Sequence, residues 1–274
     1  MTSFLFWNIK NNPIESIIAR LALRYEVDVL MLAECNIAPA TLLLALNEST
    51  DSAYYYVPKS DCGRIEIFTR FSNEFIPIIN DKLESDKYTI RHLKLPEAID
   101  IILSVAHLPS KLYKGDKGLT VKIIKLSESI KKAEEIIGHS RTVLIGDLNM
   151  NPYEDYAIMA SGLNGTMSQS IAQERTRNID KEDHPFFYNP MWNFFGDFNS
   201  DPPGTYYYRQ AEETNLRWYI YDQVLIRPDL LSYFNINDLN ILTSDGFTDF
   251  LSNDGIPRKN DVSDHLPLFF KLDL

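Results

Sequence analysis

The stretch Thr142-Val143-Leu144-Ile145-Gly146-Asp147-Leu148-Asn149 decides how the chain is read. A continuous apolar run of this kind suits a strand buried on both faces, so a sheet with layers on either side is expected here. The run ends in a carboxylate and an amide two residues apart, at the point where strand gives way to loop. Side chains at such a position escape the core while rigid backbone holds them, and sites in stacked α/β layers collect there. Upstream, Ile123, Leu126, Ile130, Ala133 and Ile137 recur at spacings of three and four, which predicts a helix from Gly118 to about Ile137, stopped by Gly138.

Outward from this core, Phe4–Ile9 reads as a buried strand, followed by Asn11, Asn12 and Pro13 as a capping sequence. A helix with Ile14, Ile17, Ile18, Leu21 and Tyr25 on one face comes next. Val27–Ala33 predicts a second strand closed by Glu34, and Pro39 opens a helix through Leu46. Short β-like runs follow at Tyr54–Val57, Ile65–Phe68, Phe75–Ile79, Tyr88–Leu93 and Ile101–Ala106. After a short helix at Tyr153–Ala160 the period is lost from Gly165 to Arg217, which predicts a long excursion. Tyr219–Ile226, Leu239–Leu242 and Leu266–Leu272 read as strands, with a short helix at Asp229–Phe234.

The 274 residues carry 27 basic and 38 acidic side chains, a formal charge of −11. That excludes a protein that grips nucleic acid by bulk positive charge, since such affinity comes from Lys and Arg neutralising phosphates. A polyanion must instead be met by a local patch or by metal ions. With 45% hydrophobic and 24% charged residues the chain is not intrinsically disordered. No linker divides it, so a single domain over 1–274 is expected. No apolar run approaches the roughly 20 residues that span a bilayer, and Met1–Lys10 lacks a secretory core. The expectation is therefore a cytoplasmic protein with no membrane span, monomeric by default, with Cys35 and Cys62 as reduced thiols.

The predicted strand ends share a set of polar residues: Asn8, Glu34, His107, Asp147, Asn149, Asp222, Asp264 and His265. They occur within six short motifs: Phe6-Trp7-Asn8-Ile9, Ala33-Glu34, Ala106-His107-Leu108, Gly146-Asp147-Leu148-Asn149, Tyr221-Asp222-Gln223-Val224-Leu225 and Ser263-Asp264-His265-Leu266-Pro267. In type, order and strand context these resemble the deoxyribonuclease I-like endonuclease/exonuclease/phosphatase superfamily, across nearly the whole chain. The resemblance implies a four-layer α/β/β/α sandwich, with two mixed, mostly antiparallel sheets face to face and helices outside. It also implies metal-dependent hydrolysis of phosphoester bonds.

Phosphodiester hydrolysis needs a charge-neutralising clamp, an oriented water and a group that helps the leaving oxygen depart. Glu34 and Asp264 are hard oxygen ligands suited to Mg²⁺ or Mn²⁺, which take one or two carboxylates and keep several waters. Asn8 is assigned to the metal as a carbonyl ligand or as an orienting hydrogen-bond partner. By resemblance, Asp147 and Asn149 face the attacking water, with Asp147 as general base; a second metal at these two residues is the alternative. His265 with Asp222 makes a dyad whose carboxylate favours the protonated ring, fit to hold phosphoryl oxygens. His107 resembles the family histidine that protonates the leaving oxygen, with Glu66 as its orienting partner. His92, His139 and His184 match no motif and read as surface or loop histidines.

One departure from the family is Lys10, where many abasic-site nucleases carry an acidic residue two places after the first Asn. A cation there suits phosphate contact, which weighs against a base-excision role. Arg64 and the lysines Lys111, Lys114 and Lys117, placed in a loop before the long helix, are the other candidates for substrate phosphates. Leu108–Lys132 holds seven lysines against Asp116 and Glu128. Lys122, Lys125, Lys131 and Lys132 read as a solvated helix face. The aromatic residues Phe186, Phe187, Tyr188, Trp192, Phe194, Phe195 and Tyr206–Tyr208 form either a satellite core or a stacking surface for unpaired bases. The leading expectation is a nuclease with weak sequence preference, favouring single-stranded or distorted nucleic acid. The alternatives are a phosphatase or phosphodiesterase for a small ligand such as a lipid headgroup, sugar phosphate or nucleotide, and a binding module without turnover.

Overall fold

The structure is a computed structural model describing residues 1–49, 53–196, 202–211 and 213–274, with the backbone alone at 49 and 111–117. In chain order its first half holds β1 (Thr2–Asn8), α1 (Glu15–Arg24), β2 (Val29–Ala33), α2 (Pro39–Ser49), β3 (Tyr55–Val57), β4 (Ile65–Thr69), β5 (Tyr88–Leu93), β6 (Ile101–His107) and α3 (Lys111–Ile137). The second half holds β7 (Thr142–Asp147), α4 (Asp155–Ile158), β8 (Gly165–Thr166), α5 (Gln169–Ala172), β9 (Thr176–Ile179) and β10 (Glu182–Pro185). It closes with β11 (Phe187–Tyr188), β12 (Tyr206–Tyr207), β13 (Trp218–Tyr219), β14 (Asp222–Ile226), β15 (Asn240–Ile241) and β16 (Leu268–Leu272). Two six-stranded sheets form, in the orders β15-β16-β1-β2-β4-β3 and β5-β6-β7-β14-β11-β8. Both are mixed: β1 with β2, β6 with β7 and β8 with β11 run parallel, while β7 with β14 and β1 with β16 run antiparallel.

Strand alternation explains why β7 is apolar on both sides. Val143 and Ile145 join Leu103 and Val105 of β6, and Val224 and Ile226 of β14, in the core shared with the first sheet's Phe4 and Trp7. Leu144 points the other way, with Ile102, Ala106 and Leu225, onto the Leu119, Ile123, Leu126, Ile130 and Ala133 stripe of α3. Val143, Leu144 and Ile145 are all fully buried, each burial contributing about 1.5–3 kcal/mol. α1 and α2 pack together and add Ile17, Ile18, Leu21, Leu42 and Leu46 to the first sheet's core. The arrangement is the α/β/β/α sandwich expected from the sequence. Gly146 closes the decisive stretch for a steric reason: a Cβ there would meet the Ala106 carbonyl oxygen of β6 at 1.9 Å, and its φ is +152°.

Several elements differ from expectation. α3 begins at Lys111, seven residues before Gly118, because Gly115 and Gly118 lower helix propensity without ending the helix. Lys111, Lys114 and Lys117 therefore lie on the first turns of a helix and not in a loop; their side chains lie outside the described part. Phe75–Ile79 is no strand, since Pro77 cannot donate to a ladder, and only Ile78 bridges to Arg91. The Tyr219–Ile226 run splits into β13 and β14, and the last strand starts after Pro267. The excursion from Gly165 to Arg217 holds several strands of two to four residues, too short to show a period.

Two polar clusters pin the second sheet away from its site. Arg227 is buried at the end of β14, where its Nε donates to Glu134 Oε1 of α3 at 2.8 Å and its Nη1 to the Pro185 carbonyl at 2.8 Å. Its guanidinium lies 3.8 Å from the centroid of the Phe187 ring. His92 and His139, expected as surface or loop histidines, lie on β5 and in the loop after α3 and place both Nε2 atoms on Asp100 Oδ2, at 2.7 and 3.0 Å. Arg141 holds the same carboxylate from its other side. Asp100 precedes β6, so this cluster sits at the opposite end of that strand from His107.

Removing one member of a buried ion pair strands the other. Arg227→Ala is expected to lower stability in urea unfolding by roughly 3–5 kcal/mol, and Arg227→Met with Glu134→Leu to recover most of it; a single-variant loss under about 1 kcal/mol contradicts this role. Burial opposes the charge on Asp100, but contacts with His92, His139 and Arg141 outweigh it and hold the carboxyl well below the usual range. A lowered folded value means the contribution is present above the unfolded pKa near 3.9 and is lost as pH falls through the folded value. Asp100→Asn should therefore flatten the fall in stability between about pH 4 and 2; an unchanged acid limb would count against it.

Candidate active site

Register brings three of the sequence-predicted residues into one row. His107 of β6 pairs with Asp147 of β7, and Asp147 pairs with Asp222 of β14. All three share the parity of Leu103, Val105, Val143, Ile145, Val224 and Ile226, so they face the layer between the sheets. The row stands where that apolar layer ends. From the opposite sheet, Asn8 at the end of β1 reaches across, its Nδ2 donating to Asp147 Oδ2 at 3.0 Å and to Glu34 Oε1 at 3.4 Å. The Asn8 Oδ1 accepts the Lys10 N–H at 3.1 Å.

Asp147 is the hub. Its Oδ1 accepts the Asn149 backbone N–H at 3.0 Å, while His107 Nε2 and His265 Nε2 approach Oδ2 at 3.8 and 3.9 Å. The Asn149 side-chain amide donates to the Leu108 carbonyl at 2.8 Å, tying the loop after β7 to the end of β6. His107 Nε2 is also 3.5 Å from Glu34 Oε1. Glu66, expected beside His107, pairs instead with Lys59 at 2.5 Å, because its place on β4 brings it to that ammonium. Among the described residues only Glu34 and Asp147 lie within ion-pair distance of His107.

His265 and Asp222 meet as expected, with Nδ1 to Oδ2 at 2.8 Å and both residues buried. Burial disfavours the imidazolium, but the Asp222, Asp147 and Asp264 carboxylates outweigh it and push His265 up to about 10. The Asp222 carboxyl is itself raised by burial, opposed by the His265 charge. The direction that stands for the pair is a protonated ring, since three acidic groups surround one imidazole. Asp147, Asp222 and His265 also lie close enough together to form a candidate ligand set. Without a metal, the 2.8 Å contact between His265 Nδ1 and Asp222 Oδ2 makes the trio an ion-paired cluster.

Asp264 turns toward solvent, its Oδ2 3.5 Å from Lys10 Nζ. Arg64 is exposed next to Ile65, the partner of Ala33, and so stands at the same end of the first sheet as Glu34. Among the described residues it makes no ion pair or hydrogen bond with the others. Lys10, Glu34 and Asn149 all have positive φ, at 52°, 47° and 52°, a conformation costly for residues with a Cβ.

Three supporting residues, Thr205, Ser263 and Trp7, have no role in the sequence reading, and a fourth, Tyr206, figures there only as part of the aromatic run. Thr205 is fully buried, accepts the N–H groups of Tyr221 and Asp222 at 3.2 and 3.0 Å, and favours the ionised Asp222. Ser263 donates to the Asn8 carbonyl at 2.7 Å, Trp7 Nε1 donates to the His265 carbonyl at 2.9 Å, and the Tyr206 ring lies 4.7 Å from the His265 ring. Trp7 and Ser263 were within reach, since both stand inside the motifs. Thr205 precedes an aromatic run with no pattern to mark it.

No family model matches the chain, and no curated protein matches it in sequence. Solved structures match its fold over the whole length. An endonuclease/exonuclease/phosphatase family protein from Leptotrichia buccalis aligns at 14% identity and TM-score 0.55, covering 100% of both chains. An AP endonuclease from Archaeoglobus fulgidus aligns at 15% and 0.56 with the same coverage, and a mannosyl-6-phosphatase from Bacteroides thetaiotaomicron at 12% and 0.54, covering 99% of both. The chain has the endonuclease/exonuclease/phosphatase fold, which bears out the fold implied by the six motifs. That fold hosts nucleases and phosphatases alike, so it does not choose between them.

The charge on His265 is testable directly. In the metal-free protein, its imidazole resonances should titrate near pH 10, and Asp222→Asn should bring the transition down by removing the nearest carboxylate. A wild-type ring titrating at or below its ordinary value of about 6.5 would overturn the ion-pair assignment.

Proposed function

We propose that this chain is a divalent-cation-dependent phosphodiesterase, a nuclease with weak sequence preference that favours single-stranded or distorted nucleic acid. The observation that carries the reading is the convergence of His107, Asp147, Asp222, His265 and Asn8 from both sheets on one polar end of the inter-sheet layer. A binding module has no need of this set.

The donor chemistry at the mouth of the site fits Mg²⁺ or Mn²⁺. Glu34 and Asp264 are hard carboxylates with side chains 37% and 23% exposed, so an ion held between protein and solvent keeps water ligands, as Mg²⁺ prefers. When bound, the ion neutralises phosphoryl charge and acidifies a water. Asp147 takes the proton of the attacking water, held in place by the Asn149 N–H and the Asn8 amide. The imidazolium of His265, steadied by Asp222, faces the phosphoryl oxygens and stabilises the charge that builds there. His107 gives its proton to the departing oxygen, a role typically worth a factor of roughly 10²–10⁴.

Lys10, Arg64 and the lysines at the start of α3 are assigned to the substrate's other phosphates. α3 starts four residues after His107, which brings Lys111, Lys114 and Lys117 to the end of the sheet where the site lies. Base stacking is assigned to the tyrosines. The rings of His265, Tyr206, Tyr221 and Tyr219 follow one another at 4.7, 5.2 and 5.1 Å, a surface that tolerates any base. Phe186, Phe187, Tyr188 and Phe194 are buried and belong to the core instead.

The test is cleavage of single-stranded DNA, duplex DNA, RNA and a chromogenic phosphodiester with Mg²⁺, Mn²⁺ or chelator. Metal-dependent cleavage that is fastest on unpaired strands is expected. Asp147→Asn and His265→Ala should each lower turnover at least about 100-fold. Wild-type rates in either variant overturn the role given to it, and cleavage of the chromogenic diester alone assigns the site to small substrates.

A further inference from the structure

A cavity of about 500 Å³ opens beside Asp264 and Lys10, between the chain at Tyr206–Gln210 and the loop that runs from Ser252 to Asp261. Its volume is that of a small-ligand pocket, in a range of roughly 300–1,000 Å³, and suits one ring-sized unit better than a length of duplex. The loop is held in shape before any ligand arrives. Asn12 Nδ2 donates to the carbonyls of Lys259 and Val262 at 3.3 and 3.0 Å, Lys10 Nζ to the Lys259 carbonyl at 3.3 Å, and Arg258 Nη1 to the Asp249 carbonyl at 2.8 Å. Such preorganisation lowers the ordering cost of binding.

The lining charges are the informative part. Four cations, Lys10, Arg209, Arg258 and Lys259, face three carboxylates, Asp254, Asp261 and Asp264. Arg258 is paired with Asp261, and Lys10 with Asp264. That leaves Arg209 and Lys259 against Asp254 alone. Both cations are exposed, and among the described residues neither has a carboxylate partner. Two cations against one carboxylate, a net excess of one positive charge on the lining of a chain of charge −11, favour an anion next to a site assigned above to phosphate chemistry. Tyr207, Ile256 and Pro257 add apolar wall for a ring. The chemistry assigned above to His107, Asp147 and His265 uses none of these five residues.

We propose that this cavity is a subsite for a ring that carries a second phosphate, attached to the phosphoester under attack. The ring lies against Tyr207, Ile256 and Pro257, and its second phosphate meets Arg209 and Lys259. This rests on the phosphoesterase reading and narrows it: the unit recognised is the terminal nucleotide of a strand, or a free bisphosphorylated nucleoside or sugar, in preference to an internal stretch of duplex.

Binding is measured calorimetrically on metal-depleted wild type and on Arg209→Ala/Lys259→Ala, with adenosine 3′,5′-bisphosphate, adenosine 5′-monophosphate and fructose 1,6-bisphosphate as probes. The adenosine bisphosphate should bind wild type at least about tenfold more tightly than the monophosphate, and the double variant should lose that advantage. Equal binding of the fructose bisphosphate, lost in the same variant, also supports the subsite and assigns it to free sugars. Cleavage that starts from the ends of a single strand, slowed in the double variant, assigns it to strand termini. No advantage for the second phosphate in wild type, or an advantage that survives both substitutions, overturns the proposal. The advantage without turnover of any phosphoester would keep the subsite and remove the hydrolytic reading; turnover without the advantage would do the reverse. Both substituted side chains are exposed, so the variant should unfold where wild type does, which a thermal melt checks.

Discussion

The amide of Asn8 donating to Asp147 across the gap between the sheets is the contact on which the site depends. Each sheet alone provides only part of the chemistry: the second carries the His107–Asp147–Asp222 row, and the first carries Asn8 and Glu34. Parallel pairing sets Asn8 beside Ala33, and so places Glu34 directly after the strand that Asn8 borders. The apolar layer from Phe4 to Val224 fixes how far apart the sheets stand, and close packing permits little slippage. Positions of the groups proposed to carry the chemistry are thus inherited from core packing, since the polar row continues the strands whose apolar residues fill the layer behind it.

That rigidity is bought locally with backbone strain. Lys10, Glu34 and Asn149 adopt left-handed conformations at strand ends, at a cost of roughly 1–2 kcal/mol for Lys10 and Glu34 and less for Asn149, a residue type that tolerates this region. Their main-chain contacts compensate in part, since Lys10 donates to Asn8, Asn149 donates to Asp147, and the Glu34 carbonyl accepts the Asn11 N–H. Strain of this kind clusters where side chains must be aimed against local preference. Ser263 and Trp7 complete the support by tying the segment before His265 to β1.

Much of this was legible in the sequence because the decisive strands are apolar on both faces and end abruptly in polar residues. The strand run to Ile145 and the helix stripe through Ala133 predict stacked layers, and the family resemblance carried by the six motifs implies the sandwich and singles out His107, Asp147, Asp222 and His265. What escaped did so for physical reasons. Pro77 hid a break inside an apolar run, two glycines hid the start of α3, and strands of two residues have no period to detect. Glu66 was misread because a charged residue on a strand shows its parity but not its partner, and Lys59 is the nearer one. The cluster at Asp100 was missed because its members are far apart in sequence and match no spacing rule.

Lys10 has a consequence for how the protein comes into being. Glu34, Asp147, Asp222 and Asp264 gather four acidic groups at one end of the sandwich, and without compensation their mutual repulsion would oppose closure of the two sheets. The ammonium of Lys10 beside Asp264 and the imidazolium of His265 beside Asp222 act as resident counter-ions. Two cations against four acidic groups offset only part of the repulsion, and a divalent ion of the kind proposed above would meet both the remaining negative charge and a lysine already seated beside Asp264.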